Sequence, residues 1–283
     1  MTNYDKYKDT LARITDVAKA TALLHWDMEV YMPKGGVAAR ARQIGTLSGM
    51  AHEMATSPDF GDLLGALQSE SLTEDEARNV ELSKKDYDKE VKLDRAFVER
   101  LARVQSTANR AWVEARSKDD FSIFSGPLTE LVEIKREEGR IRGGDSDPYD
   151  ALLDLYEPGL TSAELDRVFG NLKERLIPLI SEIMSAPRAD FPFLRKKYTS
   201  DSQWQFGIDV LKSMGYDMQH GRQDISAHPF TISFAPVDVR VTTRIDEHDL
   251  MNMTWSCIHE GGHALYEQGL QMEHYGLPLG HSC

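Results

Sequence analysis

Apolar residues recur at steps of three and four along almost all of this chain, and that period constrains the fold more than any other feature. Phe97, Leu101, Val104, Ala108 and Trp112 fall on one stripe of a helix. Thr73-Glu74-Asp75-Glu76 has the residue types of a capping box and opens a segment running towards residue 117. Thr161-Ser162-Ala163-Glu164 opens another, running towards Ala186. The first segment is long for a globular helix, which predicts a break within it. Pro148, Pro158, Pro187 and Pro192 punctuate the middle of the chain, and Gly143-Gly144 predicts a turn before Asp145. No internal repeat and no low-complexity tract interrupts the pattern, so the expectation is a mainly α fold.

One stretch breaks the period. From Phe230 to Arg244, Ile232, Phe234, Val237, Val239 and Val241 mostly alternate with other residues, and β-branched types dominate. A short hairpin or edge strands are predicted there, with Ala235-Pro236 near the turn. Asp246 to Asp249 reads as a polar turn or helix start, and Met253 to Leu270 as helix again.

Composition narrows the function classes. The 283 residues allow one large domain or two, and a 41% apolar share supports a sizeable core. Lys and Arg number 33 against 46 Asp and Glu, a formal charge of −13. That balance argues against nucleic acid or an anionic membrane as partner, since both need a positive surface. Only two cysteines occur, Cys257 and Cys283, which suits a reducing compartment. No apolar run follows a basic stub at Met1-Thr2-Asn3-Tyr4-Asp5-Lys6, and no stretch approaches a membrane span. A soluble, cytoplasmic protein is the expectation.

The β-like stretch leads into His259-Glu260-Gly261-Gly262-His263. Two histidines four apart on a helix lie about 40° apart around the axis and about 6 Å apart along it. Both imidazoles can converge on one ion, and neutral imidazole is a natural zinc ligand. Glu260 sits beside that face and can take a proton from a water that the ion has acidified. Three fixed positions in five arise by chance on the order of once in a hundred chains like this one. Trp255, Ile258, Ala264, Leu265 and Tyr266 read as flanks of a buried helix. Gly261 and Gly262 each cost roughly 1 kcal/mol against alanine in a helix interior, which implies close approach of another backbone. A core helix with two satisfied histidines is the bland alternative.

His25, His52, His220 and His248 read as structural or surface residues. His228, in Ala227-His228-Pro229-Phe230, precedes the β-like stretch and is evenly balanced between site and loop. Asp238 and Arg240 alternate on a strand and are expected to point the same way.

Taken in order, His228-Pro229-Phe230, Asp238-Val239-Arg240-Val241-Thr242 and His259-Glu260-Gly261-Gly262-His263 resemble the HPF, DxRxT and HExxH motifs of the thermostable, Taq-type metallocarboxypeptidase family. Upstream, Leu23-Leu24-His25-Trp26-Asp27 through Met32-Pro33-Lys34-Gly35-Gly36, with Arg40 and Gln43, is similar to that family's N-terminal signature. Tyr149-Asp150-Ala151-Leu152-Leu153-Asp154 with Tyr156-Glu157-Pro158-Gly159 is similar to its middle. The likeness covers essentially the whole chain. It implies a large helical, zincin-like fold with a small β-sheet beside the HExxH helix and a central groove. It also implies release of single residues from peptides with a free C-terminus, one zinc or cobalt ion per subunit, and a homodimer. By position, His259 and His263 are metal ligands, Glu260 is the general base, Asp238, Arg240 and Thr242 shape the site and hold the metal helix, and His228 lies near the substrate.

The family's third ligand is a glutamate expected after the segment matching Gly276-Leu277-Pro278-Leu279-Gly280, a few residues beyond Cys283. Residues 1–283 are therefore expected to be the N-terminal and central part of a single catalytic domain, weakly active or inactive alone. Glu267 continues the histidine stripe but lies about 9 Å along the axis from the pair's midpoint, a poor reach. Glu273, His274 and His281 follow the helix with no spacing that favours ligation. A helical zinc oligopeptidase and a non-catalytic helical dimerisation or interaction protein are the competing readings.

Overall fold

The structure, a computed structural model, describes residues 1–187 and 190–281; Cys283 lies outside them. Ten α-helices occur among the described residues: α1 (Asn3–Val30), α2 (Val37–Ala55), α3 (Pro58–Leu67), α4 (Glu74–Glu90), α5 (Arg95–Lys118), α6 (Ser122–Gly143), α7 (Pro148–Leu153), α8 (Ser162–Ser185), α9 (Ser200–Met214) and α10 (Leu250–Gln268). Three strands, β1 (Gly221–Ile225), β2 (Thr231–Ala235) and β3 (Asp238–Thr243), form one small sheet. The fold is mainly α with a small sheet beside the α10 helix, as the periodicity and the resemblance predict.

Side-chain caps set the helix starts. At α4, Thr73 accepts from Glu76 N while Glu76 accepts from Thr73 N at 2.9 Å, the reciprocal box its sequence predicts. At α8 only Thr161 accepts, from Glu164 N. The long segment after Thr73 does break. α4 ends at Glu90, and Asp94 caps a new start by accepting from Phe97 N at 2.7 Å. Past the break, Phe97, Val104 and Ala108 bury the predicted stripe, and Phe97 and Val104 share an apolar cluster with Ile134 of α6. Gly144 closes α6 at φ 58°, a left-handed conformation that suits glycine.

The core is divided among clusters rather than gathered in one layer. Tyr7, Phe60, Leu64, Leu67, Val80 and Leu277 join α1, α3, α4 and the segment after α10. Leu211, Tyr216, Val239, Val241 and Ala264 join α9, β3 and α10. Each fully buried leucine in these clusters contributes about 1.5–3 kcal/mol relative to leaving it in water.

β3 is the central strand, parallel to β1 and antiparallel to β2. The β2–β3 hairpin turns at Pro236-Val237, as expected. β1 has no counterpart in the sequence reading, because Gly221-Arg222-Gln223-Asp224 offers neither alternation nor β-branched residues. Its Asp224 is buried and accepts from Tyr31 and Arg222, so hydrogen bonding rather than hydrophobicity holds the strand.

A buried charge network braces the α4–α5 break. Arg142 of α6 donates to Glu138 at 2.8 Å and to Glu90 at 2.9 Å. His52 of α2 shares a hydrogen bond with the Leu93 carbonyl at 2.8 Å and an ion pair with Glu90 at 3.7 Å. Glu90 raises the His52 imidazolium above its ordinary value, the Leu93 carbonyl adding to the effect, while burial and Arg142 oppose it. A histidine with a raised folded pKa contributes stability that is complete below about pH 6.5 and is lost as pH climbs through the raised value. Between about pH 6 and about pH 8.5 the melting temperature is therefore expected to fall by on the order of 2 °C more than that of His52→Gln. Parallel falls in calorimetric scans of both proteins contradict this role.

Candidate metal centre

α10 starts where Asp249 accepts from Asn252 N at 3.2 Å, the turn expected at Asp246–Asp249. Its two faces differ sharply. Met253, Cys257, Glu260, Gly261 and Ala264, spaced four, three, one and three apart, form the buried stripe against α9 and β3. Trp255, Ile258, His259, Gly262, His263 and Tyr266 form the opposite, exposed stripe. The expectation of a helix buried on all its apolar flanks is corrected here: Trp255 is 61% exposed and Tyr266 52%, while Ala264 is fully buried.

His259 and His263 sit in the middle of the exposed stripe, their ring centroids 4.9 Å apart and nearly perpendicular. One turn of helix brings two imidazoles together, as the spacing dictates. Glu260, beside them, is turned inward. It is 7% exposed, and the Thr231 hydroxyl of β2 lies 2.8 Å from its Oε2 and 2.9 Å from its own carbonyl oxygen. A buried carboxylate needs such a donor, and this one fixes its rotamer while leaving Oε1 free of the threonine.

His228, Pro229, Phe230, Thr231 and Ser233 enclose with Glu260, His263 and Glu267 a cavity of about 400 Å³. The segment from His228 to Phe230 is pinned by hydroxyls. Ser226 Oγ, itself buried, donates to the His228 carbonyl at 2.6 Å and lies 2.7 Å from Thr242 Oγ1. Thr242 Oγ1 in turn accepts from Phe230 N at 2.9 Å. The His228 ring meets the Trp112 ring edge-to-face at 6.3 Å. Nearby on α1, burial raises the Glu29 carboxyl above its usual range, with Asn109 and His228 opposing.

Asp238 and Arg240 do share a face, with two hydrogen bonds of 2.8 Å between them. The Arg240 guanidinium lies between the Trp26 ring, at 4.4 Å, and the Phe234 ring, at 4.8 Å. This cation–π sandwich is worth about 0.5–2 kcal/mol and ties α1 to the sheet. Arg240 thus contacts α1 and β2, Thr242 contacts the His228 segment, and the residue bonded to Glu260 of α10 is Thr231.

Of the sequence-predicted residues, His228, Glu260 and His263 line one cavity, with His259 on the exposed stripe beside it. Asp238, Arg240 and Thr242 stand behind the wall. The reading missed Thr231, Ser226 and Trp112, although a hydroxyl directly after the HPF triplet was a usable signal. Among the described residues no group of three or more His, Cys, Asp or Glu converges to hold an ion. Glu267 lines the cavity without completing one, and His281 lies with Lys19 and Asp86 in an adjoining cavity that shares Thr231, Ser233 and Glu267 with it, where burial lowers the His281 pKa. The histidine pair fits two of the three protein ligands of a catalytic zinc site.

The adjacent glycines differ. A Cβ on Gly261 meets Leu211 Cδ2 at 2.9 Å and Met214 Cε at 3.0 Å, so the close neighbours are side chains of α9 and not the expected backbone. A Cβ on Gly262 meets nothing within 4 Å. Gly262→Ala is expected to stabilise the fold by about 1 kcal/mol, and Gly261→Ala to give no gain, in urea titrations. If the pair holds a divalent ion, His263→Ala is expected to weaken its binding by more than the roughly 10–100-fold that follows loss of a mere supporting group, measured calorimetrically.

Comparison with known proteins gives these features a family. The model of carboxypeptidase Taq (M32) metallopeptidases matches residues 6–283. Carboxypeptidase 1 of Bacillus subtilis is 40% identical over 271 residues, covering 94% of this chain and 54% of that protein. Thermostable carboxypeptidase 1 of Thermus thermophilus is 36% identical over 278 residues, covering 93% and 54%. The crystal structure of BsuCP superposes with a TM-score of 0.94 at 38% identity, covering 98% of this chain and 56% of that one. Trypanosoma cruzi metallocarboxypeptidase 1 does so with a TM-score of 0.80 at 28% identity. The chain spans about half the length of the curated relatives it matches. With a family model matched from residue 6 to 283 and the histidine pair in place, the chain belongs to the carboxypeptidase Taq (M32) metallopeptidase family.

Proposed function

We propose that this chain carries the base and two metal ligands of a metal-dependent carboxypeptidase that releases single residues from peptide C-termini. The observation that supports it most is the helix that brings His263 and Glu260, the latter hydrogen-bonded to Thr231, to one cavity with His259 a turn away from His263. In this reading His259 and His263 hold one zinc or cobalt ion per subunit. That ion, when bound, polarises the scissile carbonyl and acidifies water. The third ligand is proposed to be the family's later glutamate, outside these 283 residues.

The chain's own residues have distinct tasks. Glu260 takes the proton of the attacking water at Oε1 and passes it to the leaving amine, while Thr231 holds Oε2 and so fixes the carboxylate. Ser226 and Thr242 hold the backbone of His228 and Phe230, which places His228 at the substrate end of the cavity. Asp238 and Arg240, through Trp26, keep the strand behind it in place. A peptide with a free C-terminus, a homodimeric assembly and a cytoplasmic location belong to the same proposal. No helix among the described residues is long and apolar enough to cross a membrane.

Glu260→Gln is expected to lower zinc-dependent release of C-terminal residues by about 10²–10⁴-fold while calorimetry shows zinc still bound. An amidated peptide should not be cleaved. Internal cleavage of that peptide favours an oligopeptidase, and activity untouched in Glu260→Gln favours the interaction protein.

A further inference from the structure

Glu29 sits half-buried in the last turn of α1, and among the described residues no Lys or Arg pairs with it. The helix dipole favours a cation at that end and not an anion, yet the last turn of α1 holds no basic residue. Arg40 of α2 reaches α1 but is engaged by Asp27 at 2.7 Å. Burial holds the Glu29 carboxyl above its usual range, with Asn109 and His228 opposing. A partly buried acid at the negative end of a helix is costly unless something positive meets it.

Glu29 lines a cavity of about 470 Å³ between α1, the start of α2 and α5, a size within the roughly 300–1,000 Å³ of ligand sites. Met28, Met32, Val37 and Val113 give it apolar walls. Ala227 closes one side, and the next residue, His228, lines the cavity that holds Glu260 and His263, so the two cavities flank one peptide unit. α5 serves both, with Val113 in this wall and Trp112 meeting the His228 ring edge-to-face at 6.3 Å. The other charged side chains here are committed elsewhere. Arg110 donates to the Lys34 carbonyl at 2.9 Å, and Lys118 pairs with Glu114 at 2.7 Å. An apolar-walled space with one unpaired carboxylate suits an alkyl stem with a cationic tip, because Lys and Arg stems lie along apolar surface and methionine side chains adapt to them. A metal ion fits less well, since among the described residues no three ligating groups gather there.

We propose that Glu29 is a specificity-determining residue that holds a Lys or Arg side chain of a peptide whose backbone passes His228. This rests on the reading of the neighbouring cavity as a peptide site, and it adds a preference for basic side chains to that reading.

The test titrates the full 283-residue chain, without added metal, with short peptides of free C-terminus in isothermal calorimetry. Lys is placed at each peptide position in turn and compared with norleucine, which keeps the stem and drops the charge. At one position the Lys peptide is expected to bind about tenfold or more tightly. Glu29→Gln should abolish that difference, and Glu29→Asp, which keeps the charge on a shorter stem, should retain part of it. If the Gln variant unfolds, the native chain still decides. Lys and norleucine peptides that bind equally at every position overturn the proposal and leave the peptide-site reading standing. A Lys preference that persists in folded Glu29→Gln overturns it as well. No binding of any peptide at millimolar concentration overturns both together.

Discussion

The two-sidedness of β3 governs the rest of the site. Successive residues of a strand point to opposite faces, and this strand uses both. Val239 and Val241 enter the cluster with Leu211 of α9 and Ala264 of α10, which sets the metal helix against the sheet. Thr243 continues that face towards Cys257 of α10. Asp238, Arg240 and Thr242 look the other way, to Trp26 of α1, Phe234 of β2 and the segment carrying His228. A slip of one residue in this register would exchange the two sets and detach both the helix and the loop. The β2–β3 hairpin and the parallel pairing with β1 hold the register from both sides.

Burial and exposure on α10 follow from that arrangement. The buried stripe is apolar except for Glu260, and the cost of a carboxylate there is offset by the hydroxyl of Thr231. The histidines are a turn apart on the exposed face, with His263 lining the cavity that Glu260 also lines. Gly261 is explained by α9, whose Leu211 and Met214 leave no room for a methyl group. Nothing in the structure explains Gly262, which faces open space.

Local features of the site were legible and remote ones were not. Helix geometry alone placed His259 and His263 together, and strand alternation alone paired Asp238 with Arg240. Both depend on fixed periods within one element. The capping threonines and the break before Asp94 were likewise local. Thr231 and Ser226 were missed because a hydroxyl acts through a tertiary contact, to Glu260 in one case and to the His228 carbonyl in the other. β1 was missed because its buried residues are polar, and no hydrophobic period records a hydrogen-bonded strand. Trp255, Ile258 and Tyr266 show the converse error. An apolar residue reports a tendency to be covered, and whether its cover lies within the same chain is not a property of its spacing.

The proposed base and the proposed ligands consequently depend on different parts of the molecule. Glu260 is fixed by β2 and the α9 cluster, all within this chain, so its geometry is preorganised whatever the state of the exposed face. The histidine pair has the right spacing but lies on a stripe that is still open, and two imidazoles alone give a weaker site than three protein ligands. Metal affinity should therefore be sensitive to whatever covers α10, while the orientation of the base should not. The proposed metal site thus draws its ligands from the open face of α10 and its base from the side held by β2.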